Sequence, residues 1–217
     1  MSLVVRSLIL DLDGTLIDSR PGILESFGAA VVAVFPGREF DLSTVSLGPP
    51  IRRMFEVSFP AASEAEIDGL LGVFRRHYDR GGFLKARLYE GAREVLAHFK
   101  NQGIGVNIAT NKPLQISTAI LANLGVGHYF RSIVAADSVQ PPFASKVEMV
   151  RHLMESGRLK PAETWLVGDS VEDAAAAAEC GLPFVWAAYG YGRLGRAERK
   201  SAFRTIRTLG VLTQLLP

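Results

Sequence analysis

Leu8 to Ser19 reads LILDLDGTLIDS, and what this stretch does decides the fold. Ser7–Leu10 is an apolar run too short and too unbroken for an amphipathic helix, and it predicts a strand buried on both faces. It stops on two aspartates separated by one leucine, Asp11 and Asp13, then breaks at once on Gly14-Thr15. Carboxylates crowded at the mouth of a sheet repel each other and lose hydration, so they add no stability there unless something positive lies among them. The stretch reads as chemistry.

Working outward, similar runs recur at Ile104–Ala109, Ser132–Ala136, Thr164–Val167 and Pro183–Ala187. Between them lie helical patterns, such as Ala92, Val95, Leu96 and Phe99, then Ile116, Ile120 and Leu124, closed by Gly103 and Gly125. Alternation of this kind predicts an α/β fold, a Rossmann-like parallel sheet with helices on both faces. The first connection breaks the rhythm. It carries no buried strand but two amphipathic faces, Ile23, Phe27, Val31, Val34 and Ile67, Leu70, Leu71, Phe74, Tyr78. With Pro21 suited to a first helical turn and turns at FPGREFD and DRGG, residues 17–87 read as an inserted helical cap. Residues 1–16 and 88–217 make the core domain.

Composition narrows the field. The chain has 217 residues, 48% hydrophobic and 21% charged, and a formal net charge of +2, ordinary values for a globular protein and no basis for nucleic-acid binding. The basic stretch GRLGRAERKSAFRTIR, Gly192 to Arg207, has one aromatic, Phe203, and no recognised reading motif, and reads as a solvated helical face. Cys180 is the single cysteine, which precludes an internal disulfide and suits a reducing compartment. The N-terminal apolar run is too short for a signal peptide, and the run near Ala174–Ala188 is broken by Glu179, Gly181 and Pro183. A soluble cytoplasmic protein with no membrane partner is expected; oligomeric state is left open. The four histidines show no metal-ligand spacing, and the alanine run at Ala174–Ala178 suits a helix packed close to a sheet.

Ligands of open parallel sheets bind beyond the carboxyl ends of the strands. The residues predicted there are Asp11 and Asp13, Thr110 with Asn111 and Lys112, and Asp169 with Asp173. If a helix starts near Ser170, Asp173 lies one turn on and faces the same side as Asp169. Converging carboxylates make a site for Mg²⁺, which also removes their repulsion. Thr110 and the helix start at Pro113 can cradle an oxyanion or form an ordinary cap. SKVE, Ser145 to Glu148, fits a capping box and puts Lys146 in a first helical turn, where a cation opposes the helix dipole and should answer a nearby anion.

Together, DLDGT, the Thr110 of IATN, Lys146 and GDSVED resemble, in order and approximate spacing, the four motifs of the haloacid dehalogenase-like superfamily. The resemblance covers nearly the whole chain. DLDGTLIDS, TNKP, LYEGA and the helical insertion are similar to the phosphoglycolate phosphatase branch. The resemblance implies that Asp11 is the nucleophile forming an aspartyl phosphate, and that Asp13 is the general acid and base. It implies Asp11, Asp169 and the backbone carbonyl of Asp13 as Mg²⁺ ligands. Thr110, Lys146, Asn111 and Gly14 would bind phosphate, and Asp173 would support Lys146. An aspartate at position 13 marks phosphatases and phosphomutases, against dehalogenases, which lack it. Two departures stand out: Val147 after Lys146 where many relatives have proline, and Tyr89-Glu90-Gly91 where they have Tyr-Pro-Gly.

The physics agrees: phosphoryl transfer spreads negative charge over oxygens, so positioning and countercharge do most of the work. The expected function is Mg²⁺-dependent hydrolysis of a small phosphorylated metabolite, phosphoglycolate-like as the first guess, with a sugar phosphomutase as the alternative. A phospho-receiver signalling domain fits poorly, since it has no cap and places its phosphorylated aspartate later. Nothing favours a silent binding member of the fold. Specificity would lie in the cap, where LGPPIRRMF presents Arg52 and Arg53, and Arg52 is the candidate for pairing a substrate anion.

Overall fold

The run Ser7–Leu10 forms strand β1, with all four residues buried. The computed structural model describes residues 4–216, in two units: the chain up to Asp18 and from Leu88 on, and the segment Ser19–Arg87. Two short strands, β2 (Ile17–Asp18) and β3 (Arg87–Leu88), lie where the chain leaves the first unit and returns.

The inserted unit is helical. Helix α1 (Arg20–Val34) starts with Pro21 in its first turn. Helix α2 (Ile51–Ser58) follows Pro50. Helix α3 (Glu64–Arg80) opens on a full capping box between Ser63 and Glu66. The apolar faces of α1 and α3 are buried at Ile23, Phe27, Val31, Ile67, Leu70, Leu71, Phe74 and Tyr78. At their centre the Phe27 ring stacks on Phe55 with centroids 4.1 Å apart, and Phe59 adds a third fully buried ring. A Cβ on Gly22 would sit 2.0 Å from the Gly82 carbonyl oxygen, so only glycine lets α1 approach that turn.

After β3 the larger unit alternates as the pattern predicts. The order is α4 (Ala92–Asn101), β4 (Gly105–Thr110), α5 (Leu114–Asn123), β5 (Phe130–Ala135), α6 (Lys146–Ser156), β6 (Thr164–Gly168), α7 (Val171–Glu179) and β7 (Phe184–Ala187). Then come α8 (Arg196–Ser201), β8 (Arg204–Ile206) and α9 (Leu212–Leu215). Six strands form one sheet in the order β5-β4-β1-β6-β7-β8, every pair parallel. One face packs Ile9, Ala109 and Leu166 against Met149, Val150 and Leu153 of α6 and Ala174, Ala176 and Ala177 of α7. The alanines are the small residues that let α7 lie close to the sheet.

Because β1 sits between β4 and β6, the connections run outward from it in both directions, and the strand ends there open a crevice. Register aligns Leu10 with Ile108 and with Val167. The residues just beyond, Asp11, Thr110 and Asp169, therefore share one edge.

The basic C-terminal stretch departs from the expected helical face. Only Arg196–Ser201 is helical; Arg204–Ile206 pairs with β7 and buries Ile206. A three-residue edge strand with one inward side chain leaves no periodicity to detect. β5 starts at Phe130, before the expected Ser132, because Arg131 and Ser132 are exposed and break the apolar run. Cys180 is half-buried and packs against the core. Among the described residues no helix is long and apolar enough to cross a membrane.

Candidate active site

β1 delivers Asp11 to the edge of the sheet, and the pairing runs one residue further, with the Asp11 N–H donating to the Val167 carbonyl at 2.9 Å. The carboxylate is 7% exposed and takes a hydrogen bond from Lys146 Nζ at 2.6 Å. Burial pushes its pKa well above the ordinary aspartate value. Lys146 offsets part of that, while Asp173 and Asp169 add to it.

Lys146 is the first residue of α6, capped by Ser145, whose side chain accepts from the Glu148 N–H. The expected capping box is half made, since the Glu148 carboxylate takes the Ala144 N–H. The helix start aims Lys146 inward, where Nζ donates to Asp11 and to Asp173 at 2.6 Å each. Burial alone would depress this ammonium, but the two carboxylates reverse that and hold it firmly protonated.

Asp173 is in the first turn of α7, on the same side as Asp169, and fully buried. Its Oδ2 accepts from the Ser170 N–H and hydroxyl at 3.0 and 2.6 Å, closing a capping box, and its Oδ1 takes Lys146. Asp169, 3% exposed, has its pKa pushed up to about 6 by burial, against the pull of the Gly192 N–H, which donates to Oδ2 at 2.8 Å. The ligating atoms of Asp11, Asp169 and Asp173 lie within 4.8 Å of one another. Three carboxylates and the one ammonium of Lys146 leave two negative charges in a buried pocket of hard oxygens. That donor set and charge fit a divalent cation such as Mg²⁺.

Thr110, the last residue of β4, is 1% exposed, and its hydroxyl accepts the Lys112 N–H at 3.1 Å. Asn111 is exposed beside it. The Leu114 N–H, in the first turn of α5, goes to the Asp137 carboxylate at 2.8 Å. Gly14 has φ 85°, and its N–H goes to the Ile17 carbonyl. A Cβ there would lie 2.2 Å from Asp169 Oδ2, so this position requires both the backbone freedom and the bare surface of glycine. Arg52 is on α2 in the inserted unit, exposed, with its guanidinium on Glu64 at 3.0 Å and on Asp68.

Two features escaped the sequence reading. Asp13 pairs through Oδ2 with Lys112 Nζ at 3.1 Å, and the Lys112 side chain is only 7% exposed. The YGYG loop backs the site: a Cβ on Gly190 would meet Asp169 Oδ2 at 2.3 Å, and the Tyr189 hydroxyl donates to the Thr15 carbonyl at 2.7 Å. The signal for Lys112 was its place two residues past a strand end; for the loop, paired glycines after β7.

The sequence model described as haloacid dehalogenase-like hydrolase matches residues 8–187. The plasmid phosphoglycolate phosphatase of Cupriavidus necator is 31% identical over all of this chain and 95% of its own. The tyrosine-protein kinase PtkA of Mycobacterium tuberculosis is 31% identical over 89% of this chain, which spans 66% of that protein's length. A predicted phosphatase from Clostridium acetobutylicum superposes with a TM-score of 0.84 at 26% identity, over 98% of both chains.

Proposed function

Because the chain belongs to the haloacid dehalogenase-like hydrolase family, we propose that it hydrolyses a small phosphomonoester, phosphoglycolate or a close analogue, through an aspartyl phosphate on Asp11. The observation that carries this is the buried carboxylate–lysine cluster, in which Lys146 Nζ touches both Asp11 and Asp173 at 2.6 Å. Such an arrangement gains nothing as scaffold.

Asp11 Oδ attacks phosphorus in line with the leaving alkoxide. Lys146 offers its charge to the incoming phosphoryl oxygens, and the Thr110 hydroxyl and the Asn111 backbone complete the cradle. Asp13 gives a proton to the leaving oxygen and later takes one from the attacking water. Asp11, Asp169 and the Asp13 carbonyl would hold Mg²⁺, which would supply countercharge for an anionic nucleophile approaching a dianion. Asp173 keeps Lys146 in place. Arg52 would meet a substrate anion only by exchanging Glu64 or Asp68, and an unchanged KM in R52A removes it from the site.

The test is hydrolysis of p-nitrophenyl phosphate and a panel of phosphorylated metabolites, with Mg²⁺ and with EDTA. Activity that survives EDTA, or D11N retaining wild-type turnover, refutes the reading. A second reading, transfer of phosphate to a protein side chain, is favoured by the similarity to PtkA. Incorporation of γ-phosphate from ATP into a tyrosine peptide, without phosphatase turnover, would establish it instead.

A further inference from the structure

The inserted unit has a cavity of its own. About 470 Å³ in volume, it lies between α1, the end of α3 and the turn Gly82–Lys85, and every residue lining it belongs to the segment Ser19–Arg87. That volume is in the range of a small-molecule site. Close packing fixes its floor. A Cβ on Gly82 would lie 2.6 Å from Ser26 Oγ, and that hydroxyl, on a fully buried serine, is within hydrogen-bond distance of His77 Nδ1 at 3.0 Å. The contact holds the imidazole in place at the cavity wall.

The charge around the cavity is one-sided. Arg76, Arg80 and Lys85 line it together with the carboxylate of Glu25, which pairs with Lys85 at 2.5 Å. Among the described residues no carboxylate pairs with Arg76 or Arg80. Four residues apart on α3, these two share a helix face, where like charges work against the helix. The negative end of the α3 dipole accounts for His77 and Arg80, which stand in the last turn. It does not account for Arg76, a turn earlier, or for Lys85, beyond the helix. Nor does the dipole, equivalent to about half an elementary charge, balance the two positive charges left once Glu25 is paired.

Two uncompensated guanidiniums beside a preformed cavity need an anion with at least two negative charges. A guanidinium offers a planar fork of donors that matches two oxygens of a phosphate group at once. We propose that this cavity is a binding site for a small anion of the diphosphate class, with Arg76 and Arg80 each gripping a phosphate group and Lys85 and His77 completing the shell. None of these residues belongs to the Asp11–Lys146 cluster, so the inference stands whether or not Asp11 forms a phosphoenzyme.

Calorimetric titration of the full chain with pyrophosphate, in EDTA and at low salt, is the test. Without Mg²⁺ the cluster of Asp11, Asp169 and Asp173 keeps its two negative charges and repels the probe. Wild type should bind pyrophosphate with a Kd below about 1 mM. R76M/R80M should bind about a hundredfold more weakly, about tenfold for each charge-assisted contact removed. E25Q takes away the opposing carboxylate and releases Lys85, and it should bind about threefold more tightly. Damage to the fold does not produce such a gain. D11N should bind as wild type does, and citrate, a polycarboxylate of comparable charge, should bind at least about tenfold more weakly than pyrophosphate.

Wild type that takes up no pyrophosphate, R76M/R80M that binds it unchanged, or E25Q that binds it no more tightly overturns the proposal. Binding lost in D11N and kept in R76M/R80M would put the anion in the larger unit and overturn it as well. Citrate bound as tightly as pyrophosphate refutes the assignment to diphosphate. A readout independent of heat is the amide resonances of Gly81 and Gly82, which line the cavity. They should shift on titration in wild type and stay still in R76M/R80M, and resonances unmoved in wild type refute the site. Far-ultraviolet circular dichroism establishes that each variant is folded.

Discussion

Asp169→Asn should stabilise the metal-free protein at alkaline pH while abolishing its activity. The carboxyl is 3% exposed, and burial raises its pKa from the ordinary 3.8 to about 6. The folded state therefore holds this proton more tightly than the unfolded chain does, so stability falls as pH rises from the unfolded value through about 6 and stays lowered above it. Two units at about 1.4 kcal/mol each make the full penalty about 3 kcal/mol. An asparagine still accepts the Gly192 N–H, but the loss of a charge-assisted bond gives back about 1 kcal/mol. The net gain at pH 8 is then about 2 kcal/mol, a rise in Tm of roughly 4–8 °C for a chain of this size. Near pH 4.5 the penalty has shrunk to about 1 kcal/mol and the two terms cancel. Thermal unfolding followed by circular dichroism in EDTA at both pH values measures this. An Asp169→Asn protein that melts at or below wild type at pH 8, or above it by the same margin at both pH values, refutes the reasoning. Adding Mg²⁺ should raise the Tm of wild type and leave that of the variant where it is.

Lys146→Met strands Asp11 and Asp173 without their shared cation and should cost about 3–5 kcal/mol at pH 7.5, the scale for breaking a buried pair. Part of that returns on acidification as Asp11 protonates, which urea titrations at two pH values would reveal. Gly190→Ala places a methyl 2.3 Å from Asp169 Oδ2 and should weaken Mg²⁺ activation by about tenfold or more, within the range for disturbing the support of a metal ligand; the dependence of rate on Mg²⁺ concentration checks it. Phe27→Ala removes a fully buried ring stacked 4.1 Å from Phe55 and should cost about 3–5 kcal/mol in denaturant unfolding of the inserted unit.

The elements legible in the sequence were those whose burial writes a long or sharp pattern. β1 announced itself as a short apolar run ending on an acid, and α3 as five apolar positions at helical spacing. β8 did not, because three residues with one buried side chain carry no period. The half-made cap at Ser145 was unreadable for another reason: Glu148 has two backbone N–H groups within reach and takes that of Ala144. At the site, the motif residues Asp11, Lys146, Asp169 and Asp173 could be placed together because each follows or begins an element of known direction. The pairing of Lys112 with Asp13 joins two loops, and loops carry no register from which a partner can be deduced. Nothing in the sequence marks that the space beside Gly190 is taken by the Asp169 carboxylate, or that beside Gly192 by the Asp169 backbone.

β1 belongs to the middle of its sheet, yet its neighbours β4 and β6 are made long after it. On the ribosome it emerges with both edges open and waits while the whole helical insertion is synthesised. That insertion, built from helices close together in sequence, can complete its own fold first. Throughout the wait, the tetrad SLIL is the kind of segment that pairs with strangers, and the charges of Asp11 and Asp13 stand at its end as gatekeepers. The carboxylates that meet Lys146 and Lys112 in the finished molecule thus shield the nascent one.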